Sequence, residues 1–221
     1  NISRKEEFSP LQKDDYFLIS AVDCTGHGVP GAFMSMIGYN LLDDITDKGI
    51  SRPDLILEQL HQGVQVALKQ EVTENKDGMD LAFCQIDIEN KKLRFAGAKN
   101  PLVYIQNDEI FQLQADKIPI GGTLVKNPKF SLQEIDIQND TYCYIFSDGF
   151  IDQFGGPKGR KYMAKKFRAL LLEIHKRPME EQREILELTI DTWMGEKYAQ
   201  IDDMLVMGFK LTPDLLNIKK E

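Results

Sequence analysis

The chain has 221 residues, of which 42% are hydrophobic and 28% are charged, proportions typical of a folded globular protein rather than a disordered one. It contains 35 acidic and 27 basic residues, so its formal net charge is −8. This balance argues against binding to nucleic acid, because phosphate contacts require a surplus of Lys and Arg. The acid surplus leaves carboxylates available as ligands for hard cations.

The three cysteines, Cys24, Cys84 and Cys143, cannot all form disulfide pairs, and their spacing is not that of a metal site. A reducing, cytoplasmic location is the simplest interpretation. No apolar run approaches the roughly 18 residues needed to span a bilayer. Because the chain begins with Asn1 rather than Met, we expect it to be a segment of a longer protein. Membrane attachment of that parent chain stays open.

The first predicted elements are a strand and a helix joined by a glycine-containing turn. Residues 1–15 are polar, and we interpret them as an N-terminal extension or an incomplete first element. The apolar run over residues 16–23 predicts a buried strand that ends in the carboxylate of Asp23. Pro30 then opens a helix whose apolar residues recur at spacings of three and four, which favours core packing. These residues are Phe33, Met36, Ile37, Leu41 and Ile45.

A second helix and a series of strands follow. Ser51 is suited to cap this helix, and Pro53 is suited to its first turn. The apolar stripe of the helix consists of Ile56, Leu60, Val64 and Ala67. Alternating and β-branched runs predict six strands, over residues 81–88, 92–98, 102–106, 109–114, 130–137 and 141–147.

The last third of the chain begins with a loop, residues 152–159, that contains three glycines and one proline. Helices are predicted over residues 161–175 and 179–193, with Pro178 between them. A last strand over residues 204–211 precedes a charged tail at 212–221. Two helix pairs alternating with antiparallel strands predict one α+β domain over residues 16–211, with helices packed on sheets.

Aspartates stand at the ends of three predicted strands. Asp23 and Asp148 follow apolar strands, and Asp202 and Asp203 precede the last strand. If these strand ends converge, the shared negative charge is costly unless a cation neutralises it. Because Mn²⁺ and Mg²⁺ prefer oxygen ligands, the joint pattern favours a metal site. For any one of these residues, the alternative is an Asp that simply forms a turn.

Four stretches of the chain, in order, carry a resemblance to a known family. They are Ala21-Val-Asp-Cys-Thr-Gly-His-Gly-Val-Pro-Gly31; Asp77-Gly-Met-Asp-Leu-Ala82 with Ala96-Gly-Ala-Lys-Asn-Pro-Leu102; Phe146-Ser-Asp-Gly-Phe-Ile-Asp-Gln-Phe-Gly-Gly156; and Gln200-Ile-Asp-Asp-Met-Leu-Val206. They resemble the motifs of the sporulation stage II protein E type phosphatases. These form the bacterial branch of the PPM (protein phosphatase type 2C superfamily) metal-dependent protein serine/threonine phosphatases. The resemblance covers residues 16–211.

The resemblance implies an αββα sandwich of two antiparallel sheets flanked by helices, with two Mn²⁺ or Mg²⁺ ions at one edge. It implies that Asp23 bridges the ions and that the main-chain carbonyl of Cys24 is a ligand. Asp148 and Asp202 would complete the set of metal ligands, and Asp203 would lie next to these ligands without binding the metals itself. In this family metal-bound water attacks the phosphorus, and no protein nucleophile is needed.

Several residues of the matching motifs would lie near the metals or the substrate. Thr25 and Gly26 belong to the turn after the bridging carboxylate. His27 suits proton transfer near neutral pH, although a role in loop structure is the alternative. Asn100 either orients the strand edge or makes a turn. Asp80 either lies behind the ligands or pairs with a neighbouring group.

One element of the family is missing from its usual place. Family members carry a Gly-Asp-Phe element upstream of the first motif, and its Asp ligates one metal. Here the region reads Lys5-Glu-Glu-Phe-Ser-Pro10, with Glu7 only loosely in position. Either Glu7 substitutes, or the element precedes Asn1, or residues are missing, so occupancy of the second metal position is in question.

A basic group of residues follows the glycine-rich loop and consists of Lys158, Arg160, Lys161, Lys165 and Lys166. Its ordinary interpretation is the solvated face at the start of a helix. The functional alternative is a docking surface, beside Asp148, for a phosphorylated or acidic protein.

The resemblance as a whole implies a Mn²⁺- or Mg²⁺-dependent protein serine/threonine phosphatase, the output domain of a bacterial signalling protein. Its implied substrate is a phosphorylated regulatory protein such as an anti-sigma-factor antagonist. The family also implies a homodimer and an upstream sensory domain that shifts the first two helices to complete the metal site. The alternatives are a catalytically impaired binding or dimerisation module and a hydrolase of small phosphoesters.

Overall fold

The structure, a computed structural model, describes residues 11–13, 16–26, 28–122 and 125–214. The expectations for His27, for Glu7 and for the tail from residue 215 onward lie outside these ranges. The helices are α1 (Gly28–Asp47), α2 (Pro53–Ala67), α3 (Gly149–Asp152), α4 (Ala164–Ile174) and α5 (Met179–Met194). The strands are β1 (Leu11–Lys13), β2 (Tyr16–Cys24), β3 (Gly78–Asp87), β4 (Lys92–Ala98), β5 (Leu102–Gln106), β6 (Glu109–Leu113), β7 (Ile120–Gly121), β8 (Gln133–Asp136), β9 (Thr141–Phe146), β10 (Phe154–Gly155), β11 (Arg160–Lys161) and β12 (Val206–Leu211).

The strands form two larger antiparallel sheets and one short hairpin. The first sheet has the order β1-β2-β3-β4-β8, with β7 also paired to β3. The second sheet has the order β12-β9-β5-β6, and β10 pairs with β11 alone. Because β12 lies beside β9, the last strand of the chain runs next to the strand that precedes Asp148.

Both sheets are buried on both faces, which the alternation of side chains along a strand explains. In β3, Leu81 and Phe83 pack toward α1 and α2. The alternate residues Ala82 and Cys84 point to the opposite face and pack into the layer between the two sheets. On the far side of the second sheet, Tyr144 belongs to the apolar layer formed with α4 and α5. The resulting αββα sandwich confirms the predicted α+β fold.

Helix α1 buries a different face from the one predicted. Its fully buried apolar side chains are Met34 and Ile45, whereas Phe33 and Met36 are each 60% exposed. The interpretation of Phe33 and Met36 as core residues is therefore wrong. Apolar residues occur on two faces of this helix, and only one face can contact the sheet. Gly38 belongs to the contacting face, where a Cβ would lie 2.9 Å from the Cε of Met79.

Helix α2 follows the predicted pattern more closely. Ile56, Leu60 and Val64 are fully buried. Pro53 occupies the first turn, but Arg52 is the N-terminal cap and makes no side-chain capping bond, so the expectation for Ser51 is wrong. The Arg52 guanidinium instead pairs with Asp54 at 2.6 Å.

Two of the other predicted boundaries also change. The strand predicted over residues 130–137 is confined to β8, because Phe130 is buried in the apolar layer beside α2 without joining the sheet. The loop over residues 152–159 contains β10 and overlaps the end of α3. In the part of the chain described above, no helix combines the length and hydropathy needed to cross a membrane.

We expect the contribution of His61 to the free energy of unfolding to fall as the pH drops below about 6.5. His61 is buried, and its Nδ1 accepts a hydrogen bond from the Gly121 N–H at 3.1 Å. Its proton is therefore on Nε2, which donates to the Val125 carbonyl at 3.2 Å. Burial lowers the pKa of His61 below its ordinary value of 6.5. Just below pH 6.5, His61 is therefore protonated in the unfolded chain but still neutral in the folded chain. Protonation of this residue then favours unfolding.

Urea unfolding between about pH 5 and pH 7.5 measures this dependence, whose slope for one group is at most about 1.4 kcal/mol per pH unit. The free energy of unfolding of the wild type minus that of His61→Gln should become smaller toward low pH, and the variant should be less stable than the wild type at pH 7.5. An unchanged slope in this variant would assign the pH dependence to other groups.

Candidate metal centre

Five carboxylates lie at one end of the sandwich, and we call them the acidic cluster: Asp23, Asp80, Asp148, Asp202 and Asp203. Asp23 is next to last in β2 and pairs directly with Asp80 of β3. Asp148 follows β9, and Asp202 and Asp203 come shortly before β12. Val206 pairs with Phe146, so antiparallel pairing brings the two segments together. Register and chain order therefore join acids that are far apart in the sequence.

The Ser147-Asp148-Gly149 turn is fixed against the segment that carries Asp203. The Ser147 hydroxyl donates to the Asp203 carbonyl at 3.0 Å and accepts from the Leu205 N–H at 3.1 Å. A Cβ at Gly149 would overlap the main-chain oxygen of Asp203. A serine before Asp148 and a glycine after it are thus both required by the close approach of these two segments.

The members of the acidic cluster are close enough to influence each other's pKa values. Burial and, to a smaller extent, neighbouring negative charges together raise the pKa of Asp23 to about 6. Those charges belong to Asp202, Asp148, Asp80 and Asp203. The pKa of Asp148 is raised as well, by burial first and then by Asp152 and Asp202. This mutual repulsion is the property that a bound cation would relieve.

The turn after Asp23 is held by Thr25. The Thr25 N–H donates to the Gly78 carbonyl at 2.9 Å, and its hydroxyl accepts from the Gly78 N–H at 2.9 Å. The same hydroxyl donates to Asp77 at 3.3 Å. Gly26 has a φ of +88°, a conformation that favours glycine. Thr25 and Gly26 therefore shape the turn.

The half-buried Cys24 is not an activated thiol. Burial is the largest influence on its side chain and raises the pKa of the thiol above the ordinary value of 9.0. A thiolate is the nucleophilic form of cysteine, so this environment argues against a cysteine nucleophile.

Asn100 lies in the connection between β4 and β5 and is 6% exposed. Its N–H donates to the Ala98 carbonyl at 2.8 Å, which agrees with the turn interpretation. The Nδ2 atom of Asn100 is buried, and it makes no hydrogen bond among the described residues. The structure does not bring Asn100 into the hydrogen-bond network of the acidic cluster described above.

Two lysines place positive charge beside the acidic cluster. Lys99 pairs with Asp80 at 3.2 Å and adopts a left-handed conformation with a φ of +62°. Lys161 pairs with Asp152 at 2.6 Å. Both ammonium groups act to lower the pKa of Asp148, against the stronger effect of burial. The sequence interpretation named Lys161 only within a basic group and did not single out Lys99 as a site residue.

The chemistry of the donors fits a hard cation, because the candidate ligands are carboxylates and one main-chain carbonyl. Within the described ranges, no three His, Cys, Asp or Glu side chains are close enough together to form a complete metal site. Bringing Asp23, Asp148 and Asp202 onto one ion therefore requires movement of their side chains. Asp202 is exposed on a segment without regular secondary structure, so it has room to move.

Comparisons with known proteins agree with this fold. The family model for stage II sporulation protein E (SpoIIE) matches residues 13–212. The SiaA-PP2C domain of Pseudomonas aeruginosa is 30% identical with a TM-score of 0.80, covering 90% of this chain and 78% of that chain. The comparison with curated protein sequences found no match.

More distant solved structures share the fold. RsbX in complex with magnesium is 15% identical with a TM-score of 0.63, covering 92% of this chain and 85% of that chain. The RsbU and RsbW domains of a Mycobacterium tuberculosis protein are 18% identical with a TM-score of 0.66, covering 90% of this chain and 54% of that chain. Since the family model spans almost the whole sandwich, the chain belongs to the stage II sporulation protein E family, whose domains have the PP2C phosphatase fold.

Proposed function

We propose that this chain is a Mn²⁺- or Mg²⁺-dependent phosphatase that hydrolyses phosphoserine and phosphothreonine in a regulatory protein. The observation that carries the proposal is the convergence of Asp23, Asp148 and Asp202 on one edge of the sandwich, with the pKa of Asp23 raised to about 6 by burial and by the other acids. Family membership supports the reaction class. The relative solved with magnesium and the relative with an RsbW domain support the cofactor and a regulatory partner.

In this proposal Asp23, the Cys24 carbonyl, Asp148 and Asp202 hold two ions. Bound ions of this kind activate water and neutralise phosphoryl oxygens. The chain contributes the framework: Ser147 keeps Asp148 beside the segment of Asp202 through its bond to the Asp203 carbonyl. A side chain of this chain is not required as the nucleophile, which agrees with the raised pKa of Cys24.

The test is release of phosphate from p-nitrophenyl phosphate and from a phosphoserine protein, with Mn²⁺ and with EDTA. A protein phosphatase should act on both substrates with Mn²⁺ and have the higher kcat/KM for the phosphoprotein. A preference for the small ester would support the hydrolase of small phosphoesters. Absence of activity on both substrates with Mn²⁺ would support the catalytically impaired binding module.

Lys99 should contribute to phosphate binding rather than to the chemical step. A phosphate monoester that approaches the acidic cluster meets negative charge, and the Lys99 ammonium, 3.2 Å from Asp80, offsets it. We expect Lys99→Met to raise KM for p-nitrophenyl phosphate by about threefold to tenfold with a smaller change in kcat. Lys92→Met, which removes a lysine paired with Glu134 at 2.9 Å, is the control. Equal KM values for the two variants would contradict this role.

We also propose that α1 provides a surface through which two copies associate. Its exposed apolar side chains are Val29, Phe33, Met36 and Tyr39, with exposures of 60% to 70%. A row of exposed apolar side chains on one helix is typical of an interaction surface. The same helix starts shortly after Asp23, so association or an upstream sensory domain could act on the site through it.

The variant with Phe33→Ser and Met36→Ser should shift a dimer toward monomer in sedimentation velocity. Loss of two apolar side chains that the proposed dimer would bury weakens association by about a hundredfold. Leu188→Ser, at a 69% exposed position of α5, is the matched control. A wild-type protein that sediments as a monomer would contradict the dimer.

A further inference from the structure

A buried glutamine connects the two segments that carry the acids of the candidate site. Helix α3 begins directly after Asp148, and the Asp152 N–H donates to the Asp148 carbonyl at 2.9 Å. Gln153 is the residue that ends this single turn. It has 0% exposure, although glutamine is ordinarily a surface residue. A polar side chain buried this deeply must have its hydrogen bonds satisfied by the protein.

The side chain of Gln153 bonds to the segment that leads into Asp202. Its Nε2 donates to the Ala199 carbonyl at 2.9 Å and to the Phe154 carbonyl at 3.1 Å. Its Oε1 accepts from the Ile201 N–H at 3.2 Å. Two of the three bonds therefore anchor residues 199–201, immediately before Asp202.

The main chain around Gln153 is fixed from the other side. The Gln153 carbonyl accepts from the Trp193 Nε1–H at 3.1 Å and from the Tyr162 N–H at 3.0 Å. The Gly156 N–H donates to the Trp193 carbonyl at 2.7 Å. A Cβ at Gly155 would overlap that same carbonyl. Contacts with Trp193 of α5 thus fix the main chain of residues 152–156. We call this stretch the frame around Gln153, and from it the Gln153 side chain reaches residues 199–201.

We propose that Gln153 is the positioning residue that holds Asp202 in place opposite Asp148. Residues 199–205 form no helix or strand, so their position depends on contacts from outside the segment. Ser147 binds this segment after Asp202, through the Asp203 carbonyl. Gln153 binds it before Asp202. This inference rests on the proposed metal-dependent function, because its consequence is a higher affinity for the cation.

Gln182 provides a matched control at a distance from the site. It is also buried and makes three side-chain hydrogen bonds, between α5 and its surroundings. Its Oε1 accepts from the Tyr144 hydroxyl at 2.8 Å, and its Nε2 donates to the carbonyls of His175 at 2.9 Å and Arg177 at 2.8 Å. Removing these bonds should destabilise the fold without affecting the segment before Asp202.

The experiment compares Gln153→Met and Gln182→Met by thermal unfolding, hydrogen exchange and calorimetric titration with Mn²⁺. Both variants should unfold at lower temperature than the wild type. Only Gln153→Met should speed amide exchange at residues 199–203 and raise the Mn²⁺ dissociation constant, by about tenfold or more. If Gln153→Met fails to fold, Gln153→Asn replaces it, since it keeps a neutral amide but is one methylene shorter and so weakens the bonds to Ala199 and Ile201.

The outcomes separate this inference from the proposed function. Unchanged exchange at residues 199–203 together with a Mn²⁺ affinity within twofold of wild type would overturn the positioning role. An equal loss of affinity in Gln182→Met would also overturn it, because the effect would then be general loosening. If the wild-type protein binds no Mn²⁺, the proposed function fails and so does the cation part of the inference. The exchange data then decide the anchoring role of Gln153 alone.

Discussion

Asp148→Asn should reduce Mn²⁺-dependent phosphatase activity on the order of a hundredfold or more while leaving the fold intact. The asparagine has nearly the same shape as Asp148 but lacks its negative charge, so it is a much weaker ligand for a hard cation. Asp148 follows the central strand β9 and interacts electrostatically with Asp202 and Asp23. Loss of the Asp148 carboxylate therefore removes one candidate ligand and changes the electrostatic environment of two others, Asp23 and Asp202.

The same substitution should raise the unfolding temperature of the metal-free protein. The pKa of Asp148 is raised by burial and by neighbouring acids, which means that its charge destabilises the folded state. Asp148→Asn removes this cost and should also abolish the increase in unfolding temperature on addition of Mn²⁺. Such an opposition between stability and activity is typical of a functional site.

Asp191→Asn, an equal change of charge at an exposed position of α5, is the control for both measurements. Differential scanning calorimetry with Mn²⁺ or with EDTA, together with phosphate release, gives the comparison. Full activity in Asp148→Asn would remove this residue from the proposed ligand set.

Gly149→Ala should lower the free energy of unfolding by about 1–3 kcal/mol and reduce activity more than this instability explains. A methyl group at residue 149 would overlap the main-chain oxygen of Asp203, so either α3 or the segment of Asp203 must move. Asp148 directly precedes α3, and Asp202 and Asp203 belong to the other segment. The displacement therefore changes the separation between Asp148 and Asp202.

Gly208→Ala in β12 is the matched control, since its Cβ would meet side chains rather than main chain: the Tyr144 ring at 3.2 Å and the Met179 Sδ at 3.5 Å. Urea unfolding and the Mn²⁺ concentration for half-maximal activity should be measured for both variants. If Gly149→Ala loses stability but keeps the wild-type Mn²⁺ dependence, the close approach of the two segments serves folding alone.

Local patterns predict the α+β class and the placement of Asp23 and Asp148 at strand ends, whereas the αββα arrangement is implied by the family resemblance. Asp23 and Asp148 each end a continuous apolar run, and a strand end is a rigid place for a ligand. Burial of α1 could not be predicted in the same way. Met34 and Phe33 are neighbours of similar hydrophobicity, and only contact with the sheet determines which one is buried.

The remaining site residues depend on pairing across the chain. Asp80 lies opposite Asp23 because of the register between β2 and β3, which no local pattern specifies. The burial of Gln153 is likewise not specified by any local pattern. This polar residue lies in a glycine-rich loop, and two of its hydrogen-bond partners, Ala199 and Ile201, are more than 40 residues away in the sequence. In sequence it is typical of an exposed turn, whereas the structure makes it part of the interior.

The frame around Gln153 has a practical consequence for spectroscopy. Trp193 is the single tryptophan of the chain, and its indole N–H bonds to the Gln153 carbonyl. The Lys166 ammonium lies 3.7 Å from the centre of its ring, so the emission of this fluorophore depends on a nearby charge as well as on a hydrogen bond. Tryptophan fluorescence, excited selectively over the seven tyrosines, thus reports on one place in the molecule, next to the segment that leads to Asp202. The protein contains its own optical probe, and no label is needed to follow changes there.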